Sequence, residues 1–212
     1  MNKTLKRVLI AFLGINLLSI GLMYILAIDF GVGPFDSLTL ALQGLLGIDK
    51  FSNASFALHG LFFILLLFLV RGFKIRYRDV IISLFSIFIV TRIISIYEEI
   101  IKFDPSEFST IIVVIVFIVA FLTLNLGLYF MAISNIIIPP YDKFVVEFSK
   151  YKNIELGKSR LIADALVITL VIALNVIGIV SVTVSIGTII ITLFTGLNIT
   201  LYNKLISYKG LD

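Results

Sequence analysis

Two short stretches carry Pro, an aromatic residue and Asp in the same order, and each interrupts a long apolar run. They are residues 31–36, Gly-Val-Gly-Pro-Phe-Asp, and residues 137–142, Ile-Ile-Pro-Pro-Tyr-Asp. If they lie at membrane depth, Asp36 and Asp142 become candidate substrate-binding, coupling or gating residues, because irregular backbone is tolerated there only around a cavity or within protein. If they lie at the interface, they simply begin helices, since Pro suits the first helical position and an acid suits the first turn.

Two charged residues fall within predicted apolar spans and extend this candidate set. Arg92 lies toward the outer end of its span. It either snorkels to the interface, pairs with an acid such as Asp36, or recognises an anionic group of a substrate. Asp164 follows Arg160 by four residues, so it either pairs with that arginine along the helix or faces a cavity.

Uncharged polar residues add the last candidates. Asn16 and Asn125 are predicted near the midplane, where their amides can contact a small polar solute or bond between helices. His59 stands alone in its span, which favours a packed and hydrogen-bonded side chain over a proton relay.

The residue inventory excludes several kinds of chemistry. The chain has no Cys and one His, which rules out disulfides, thiolate metal sites and Cys nucleophiles. It shows no glycine-rich phosphate loop, metal-ligand cluster or nucleic-acid module. We therefore expect no cofactor and no metal, and an intramembrane enzyme is the weakest functional hypothesis.

The composition is that of a membrane protein. Of the 212 residues, 60% are hydrophobic and 14% charged, with a mean hydropathy of +1.15, more apolar surface than a soluble domain of this size can bury. Runs of about 20 apolar residues predict six transmembrane helices. They cover residues 8–28, 51–70, 80–96, 109–133, 161–180 and 182–205.

The charges lie mainly in the segments between these spans. The loop 71–78 and the segment 143–160 are basic, whereas the loop 97–108 is acidic. Because Lys and Arg favour the cytoplasmic side, the sequence predicts cytoplasmic N- and C-termini and an outer acidic loop. This accounts for the net charge of +4 without a nucleic-acid partner.

An internal repeat links the two motifs. Pro34 and Pro140 are 106 residues apart (140 − 34), which is half of 212, and the same offset pairs Gly21 with Gly127. The chain is therefore interpreted as two repeats, 1–106 and 107–212, in one membrane domain. Three spans per half predict that the halves are inverted, an architecture common in secondary transporters. The first motif is predicted near the outer face and the second near the inner face.

These features resemble the YczE/YyaS-type bacterial integral membrane proteins. The resemblance rests on residues 31–36 and 139–142, on Ser-Arg at 159–160 followed by Asp164, and on Gly-Thr at 187–188. Phe35 stands where the family often has Trp, and Asp-Val at 79–80 where it tends to have small residues. The resemblance implies a bacterial inner-membrane protein but little about its activity.

Two functional hypotheses follow. The first is an all-α transporter or permease, in which a small solute binds between the inverted repeats. The alternative is a non-transporting accessory or regulatory protein that acts through a membrane-protein partner, for which we expect a packed interior without a polar cavity. Besides the lipid bilayer, a homodimer remains a candidate partner.

Overall fold

The protein is a bundle of α-helices. The computed structural model describes residues 3–73, 76–180 and 185–206, and no strand occurs among them. The helices are α1 (Lys3–Ile28), α2 (Pro34–Leu46), α3 (Phe51–Phe73), α4 (Tyr77–Ile100), α5 (Thr110–Ser134), α6 (Pro140–Lys152), α7 (Leu156–Val176) and α8 (Ile186–Ile206), with one 3₁₀ turn at Pro105–Glu107. Six of these helices, all except α2 and α6, are long and apolar enough to cross a membrane.

The predicted all-α membrane class and the six long helices are confirmed, with shifted edges. Helix α1 begins at Lys3, before the predicted edge at residue 8, because Lys and Arg are good helix formers. Helix α7 begins at Leu156 instead of residue 161, which places Arg160 within the helix. The predicted start of the last span falls in residues 181–184, outside the described residues.

The two short helices have matching boundaries. Both contain 13 residues, and both ends differ by 106. Each starts with Pro and ends at a left-handed residue, Gly47 (φ 62°) or Asn153 (φ 52°), residue types that tolerate this conformation. The breaks before them also match, since Asp29 (φ 54°) and Asn135 (φ 52°) are both left-handed. The local backbone therefore repeats at the predicted offset, while the division at residue 106 stays a prediction.

Helices α1 and α5 touch backbone to backbone at the centre of the bundle. A Cβ on Gly127 would lie 2.4 Å from the Leu18 nitrogen and 2.6 Å from the Gly14 carbonyl oxygen. A Cβ on Gly21 would lie 2.5 Å from the Ala120 carbonyl oxygen. Small residues let transmembrane helices approach this closely. Because Gly14 faces Gly127 and Gly21 faces Ala120, the two helices run antiparallel, as an inverted repeat requires.

Side-chain hydroxyls satisfy the irregular backbone at both breaks. The Phe30 carbonyl accepts hydrogen bonds from Ser185 Oγ (2.6 Å) and from the Gly187 backbone N–H (3.2 Å). The Ile138 carbonyl accepts bonds from Ser83 Oγ (2.9 Å) and Ser86 Oγ (2.8 Å). The first break is thus bonded to the start of α8, and the second break to α4. These bonds satisfy backbone groups that have no partner within a helix, as non-helical backbone in a membrane domain requires.

The α1–α5 contact yields a stability prediction. Gly127→Ala is expected to destabilise the fold by about 1–3 kcal/mol, because the added methyl meets main-chain atoms that cannot move aside. Thermal unfolding in detergent measures the change. Gly60→Ala is the matched control, since a Cβ there meets nothing within 4 Å. Equal unfolding midpoints for the two variants would contradict the contact.

Candidate functional site

The two motifs meet in the structure. The rings of Phe35 and Tyr141 stack with centroids 4.9 Å apart and an interplanar angle of 24°. The expectation that the motifs lie near opposite faces was therefore wrong. The chain turns back into the bundle after α1 and after α5, which brings both short helices to the same place.

The stack continues on both sides of these rings. His59 stacks on Phe35 with centroids 4.5 Å apart, and the Arg160 guanidinium lies 5.0 Å from the centroid of the Tyr141 ring. Four side chains from α3, α2, α6 and α7 thus form one continuous column. Aromatic and cation–π contacts of this kind favour defined ring positions.

Arg160 joins two carboxylates and anchors the second motif. Its Nε donates to Asp164 Oδ2 at 2.9 Å, and its Nη1 donates to Asp142 Oδ1 at 2.5 Å. The Tyr141 hydroxyl donates to the other Asp164 oxygen at 2.5 Å. Asp164 is fully buried, so these bonds supply the pairing that a buried charge requires. The predicted Arg160–Asp164 pair along the helix is confirmed.

Asp36 has a different environment from Asp142, the residue that the 106 offset pairs with it. It lies in the first turn of α2, within electrostatic reach of Arg160, Asp142 and Asp164. Its carboxylate makes no hydrogen bond or ion pair with any other residue in the described ranges. The predicted alternative of a pair with Arg92 does not form. One arginine therefore faces three aspartates, and Asp36 is the one without a bonded partner.

A cavity of about 50 Å³ lies beside this column. Four pairs of residues related by the 106 offset line it: Leu18 and Leu124, Leu22 and Leu128, Phe35 and Tyr141, and Asp36 and Asp142. Ser55 and His59 from the first half and Arg160 from the second add polar groups that have no polar counterpart at the 106 offset. The leucines lie close to the middle of α1 and α5, the two longest helices. The cavity therefore lies beside the middle part of α1 and α5.

His59 belongs to this cavity although the sequence favoured a packed, hydrogen-bonded side chain. It is buried, with 4% of its surface exposed, so the burial is confirmed. Its Nδ1 has no hydrogen-bond partner. A buried polar atom without a partner is costly, and the residue that carries it lines the cavity.

The other predicted site residues lie elsewhere. Asn16 accepts a hydrogen bond from the Tyr97 hydroxyl at 2.9 Å. Asn125 is fully buried and donates to the Phe121 carbonyl at 2.8 Å. Arg92 lies on an exposed cleft between α3 and α4. None of the three lines the cavity, so their predicted roles in substrate binding gain no support.

Sequence reasoning missed the central role of Arg160. It was counted among the basic residues of a loop because the fifth span was predicted to begin after it. Its spacing of four from Asp164 predicts their contact on a helix, but not its second bond, to Asp142. Among the described residues, no group of three or more His, Asp or Glu side chains could hold a metal ion.

Comparison with known proteins gives one match. The model of a family described as a family of unknown function, DUF6198, matches residues 5–204. No curated protein and no solved structure matches the chain. The resemblance to the YczE/YyaS type stays a prediction, and the chemistry of the site must be judged from its own residues.

The Arg160 network predicts a large loss of stability when it is broken. Arg160→Gln is expected to lower the free energy of unfolding by about 3–5 kcal/mol, because two largely buried carboxylates lose their cation. Lys158→Gln, at an exposed position on the same helix, is the control. Adding Asp164→Asn to Arg160→Gln should recover part of the loss. Thermal or chemical unfolding tests this cycle, and a similar midpoint for Arg160→Gln and Lys158→Gln would refute it.

Proposed function

The chain belongs to the DUF6198 family of unknown function, and we propose that it is a small-solute transporter of a bacterial inner membrane, with its site in the cavity between its two halves. In this proposal the halves are inverted repeats that open the cavity alternately to each side. Asp36 binds the positive charge that moves with the transport cycle.

The observation that carries this proposal is the pairing of residues around the cavity. Four pairs related by the same offset converge on one partly polar space beside the middle part of α1 and α5. Secondary transporters built from inverted repeats place their sites at such a position, beside interrupted helices. A site on the axis between two halves can be reached from either face when the halves rock against each other.

The charges favour a cation or a proton as the bound species. Arg160 offsets one of its two bonded aspartates, and Asp36 brings a third carboxyl. Uncompensated charge within a membrane domain is unfavourable. Asp36 is therefore the residue expected to take up a proton or a small cationic solute, whereas the Arg160 network stays intact.

The polar cavity favours the transporter over the accessory hypothesis. A protein that acts only through a partner has no need of an internal polar space, and we expected a packed interior for it. The cavity instead has an unpartnered His59 nitrogen and a carboxylate on its wall. No observation on the described residues identifies a protein partner.

Reconstitution into liposomes tests the transport role of Asp36. Proton entry is followed with an internal pH-sensitive dye under an imposed potential, and cation entry with radiolabelled methylammonium. Wild-type protein is expected to move at least one of these probes, and Asp36→Asn to abolish that movement with an unchanged unfolding midpoint. Asp142→Asn should lose both transport and stability, because Asp142 bonds to Arg160.

Asp49→Asn serves as the control, since Asp49 lies in an exposed loop. Full activity in Asp36→Asn would exclude the assigned role. A wild-type protein that moves neither probe would remove support for cation or proton transport.

The proposed orientation can be tested by cysteine labelling, because the natural chain has no Cys. Ser106→Cys lies in the exposed acidic loop, and Lys152→Cys lies at the exposed end of α6. A membrane-impermeant maleimide added to intact cells is expected to label the first variant only, since acidic loops face outward and basic segments inward. Permeabilised cells should show both labelled. The reverse pattern in intact cells would invert the proposed topology.

A further inference from the structure

A second polar cleft lies between α3 and α4, apart from the cavity, and we propose that it binds an anionic phospholipid through its phosphate. Its volume is about 240 Å³, and Arg92 is the charged residue on its wall. This binding does not depend on the proposed transport function. The cleft combines a cation without an ion pair among the described residues, one buried hydroxyl without a hydrogen bond, and an apolar floor.

Arg92 forms no ion pair with any described residue, although Glu99 lies within electrostatic reach of it. The acids nearest along the chain are engaged elsewhere. Glu98 accepts the first two backbone N–H groups of α3 at 2.8 and 3.2 Å, and Glu99 pairs with Lys50 at 2.6 Å. An arginine within a transmembrane span is costly unless it reaches the interface or is paired. Its planar guanidinium matches the geometry of a phosphate.

A buried hydroxyl in the same cleft is also without a partner. Ser52 is 2% exposed, and its Oγ makes no hydrogen bond. Asn53 and Ser95 line the cleft beside it. Since native proteins seldom leave buried polar atoms unsatisfied, the Ser52 hydroxyl is a donor that an oxygen atom of a bound group can accept from. A phosphate next to Arg92 supplies such oxygen atoms.

The cleft changes from polar to apolar along the helices. Helices α3 and α4 run antiparallel, because Glu98 reaches the start of α3 while Phe88 contacts Phe56 deeper in the pair. The Phe56 and Phe88 rings pack edge to face at 5.1 Å, and 40% and 53% of their surfaces are exposed. Phe85 continues the apolar surface on α4. This order matches a phospholipid, with its headgroup at the helix ends and its acyl chains toward the bilayer centre.

The cleft belongs to one half of the protein only. The 106 offset places Asn198 at the position of Arg92, and Lys158 at that of Ser52. The corresponding helices of the second half therefore lack the same cation and hydroxyl pair. A single lipid site follows, in the leaflet that contains the start of α3.

Thermal unfolding of the detergent-purified chain, titrated with phosphatidylglycerol, tests the proposal. The lipid is expected to raise the unfolding midpoint of the wild type, because a ligand of the folded state stabilises it. Arg92→Gln should raise the half-saturating lipid concentration at least about tenfold, since it removes a charge-assisted hydrogen bond. Ser52→Ala should raise it less, and Arg92→Lys should lie between Arg92→Gln and wild type.

Arg78→Gln is the matched control, because it removes the same charge from an exposed position at the other end of α4. Diacylglycerol, which lacks the phosphate, should leave the midpoint unchanged. Equal lipid responses in Arg92→Gln and Arg78→Gln would overturn the site. A response to inorganic phosphate as large as that to the lipid would overturn its assignment to a phospholipid. Absence of a lipid response in the wild type would overturn both.

Discussion

The close antiparallel contact of α1 and α5 is the constraint on which the rest of the structure depends. Because Gly14, Gly21 and Gly127 have no side chains, main-chain atoms of the two helices come into direct contact. In a lipid environment, where apolar side chains gain little from leaving the solvent, such close packing is a main source of helix association. It also sets the distance between the halves. Helices α2 and α6 follow α1 and α5 directly along the chain, and their first turns meet through the stacked rings of Phe35 and Tyr141.

The site is symmetric in backbone but not in charge. Phe35 and Tyr141 are equivalent rings stacked on each other, yet the acid that follows each ring has a different environment. Asp142 bonds to Arg160, while the equivalent Asp36 has no bonded partner. The position that matches Arg160 in the first half is Ala54. The second half therefore supplies the ion network around Arg160, and the first half supplies the Asp36 carboxylate, which has no bonded partner among the described residues.

Local patterns predicted most of the fold, because each transmembrane helix is encoded by a continuous apolar run. The breaks at Pro34 and Pro140 were visible for the same reason. The meeting of the motifs was not predictable, since it depends on how far the chain turns back after α1 and α5. For the site, Asp36 and Asp142 line the cavity and Asp164 pairs with Arg160 as their spacing predicts, while the role of these residues in substrate binding stays a prediction. Asn16 and Arg92 were assigned from polarity alone, which does not tell which face of a helix a side chain occupies.

The small size of the cavity limits what it can hold in the conformation described here. A space of about 50 Å³ holds a few water molecules, given that one needs roughly 10–15 Å³ of such volume. A larger solute can bind there only after side chains that line the cavity move apart. In the proposed transport cycle, the stacking of Phe35 on Tyr141, at about 0.5–1.5 kcal/mol for such a pair, would add to the free energy of that movement.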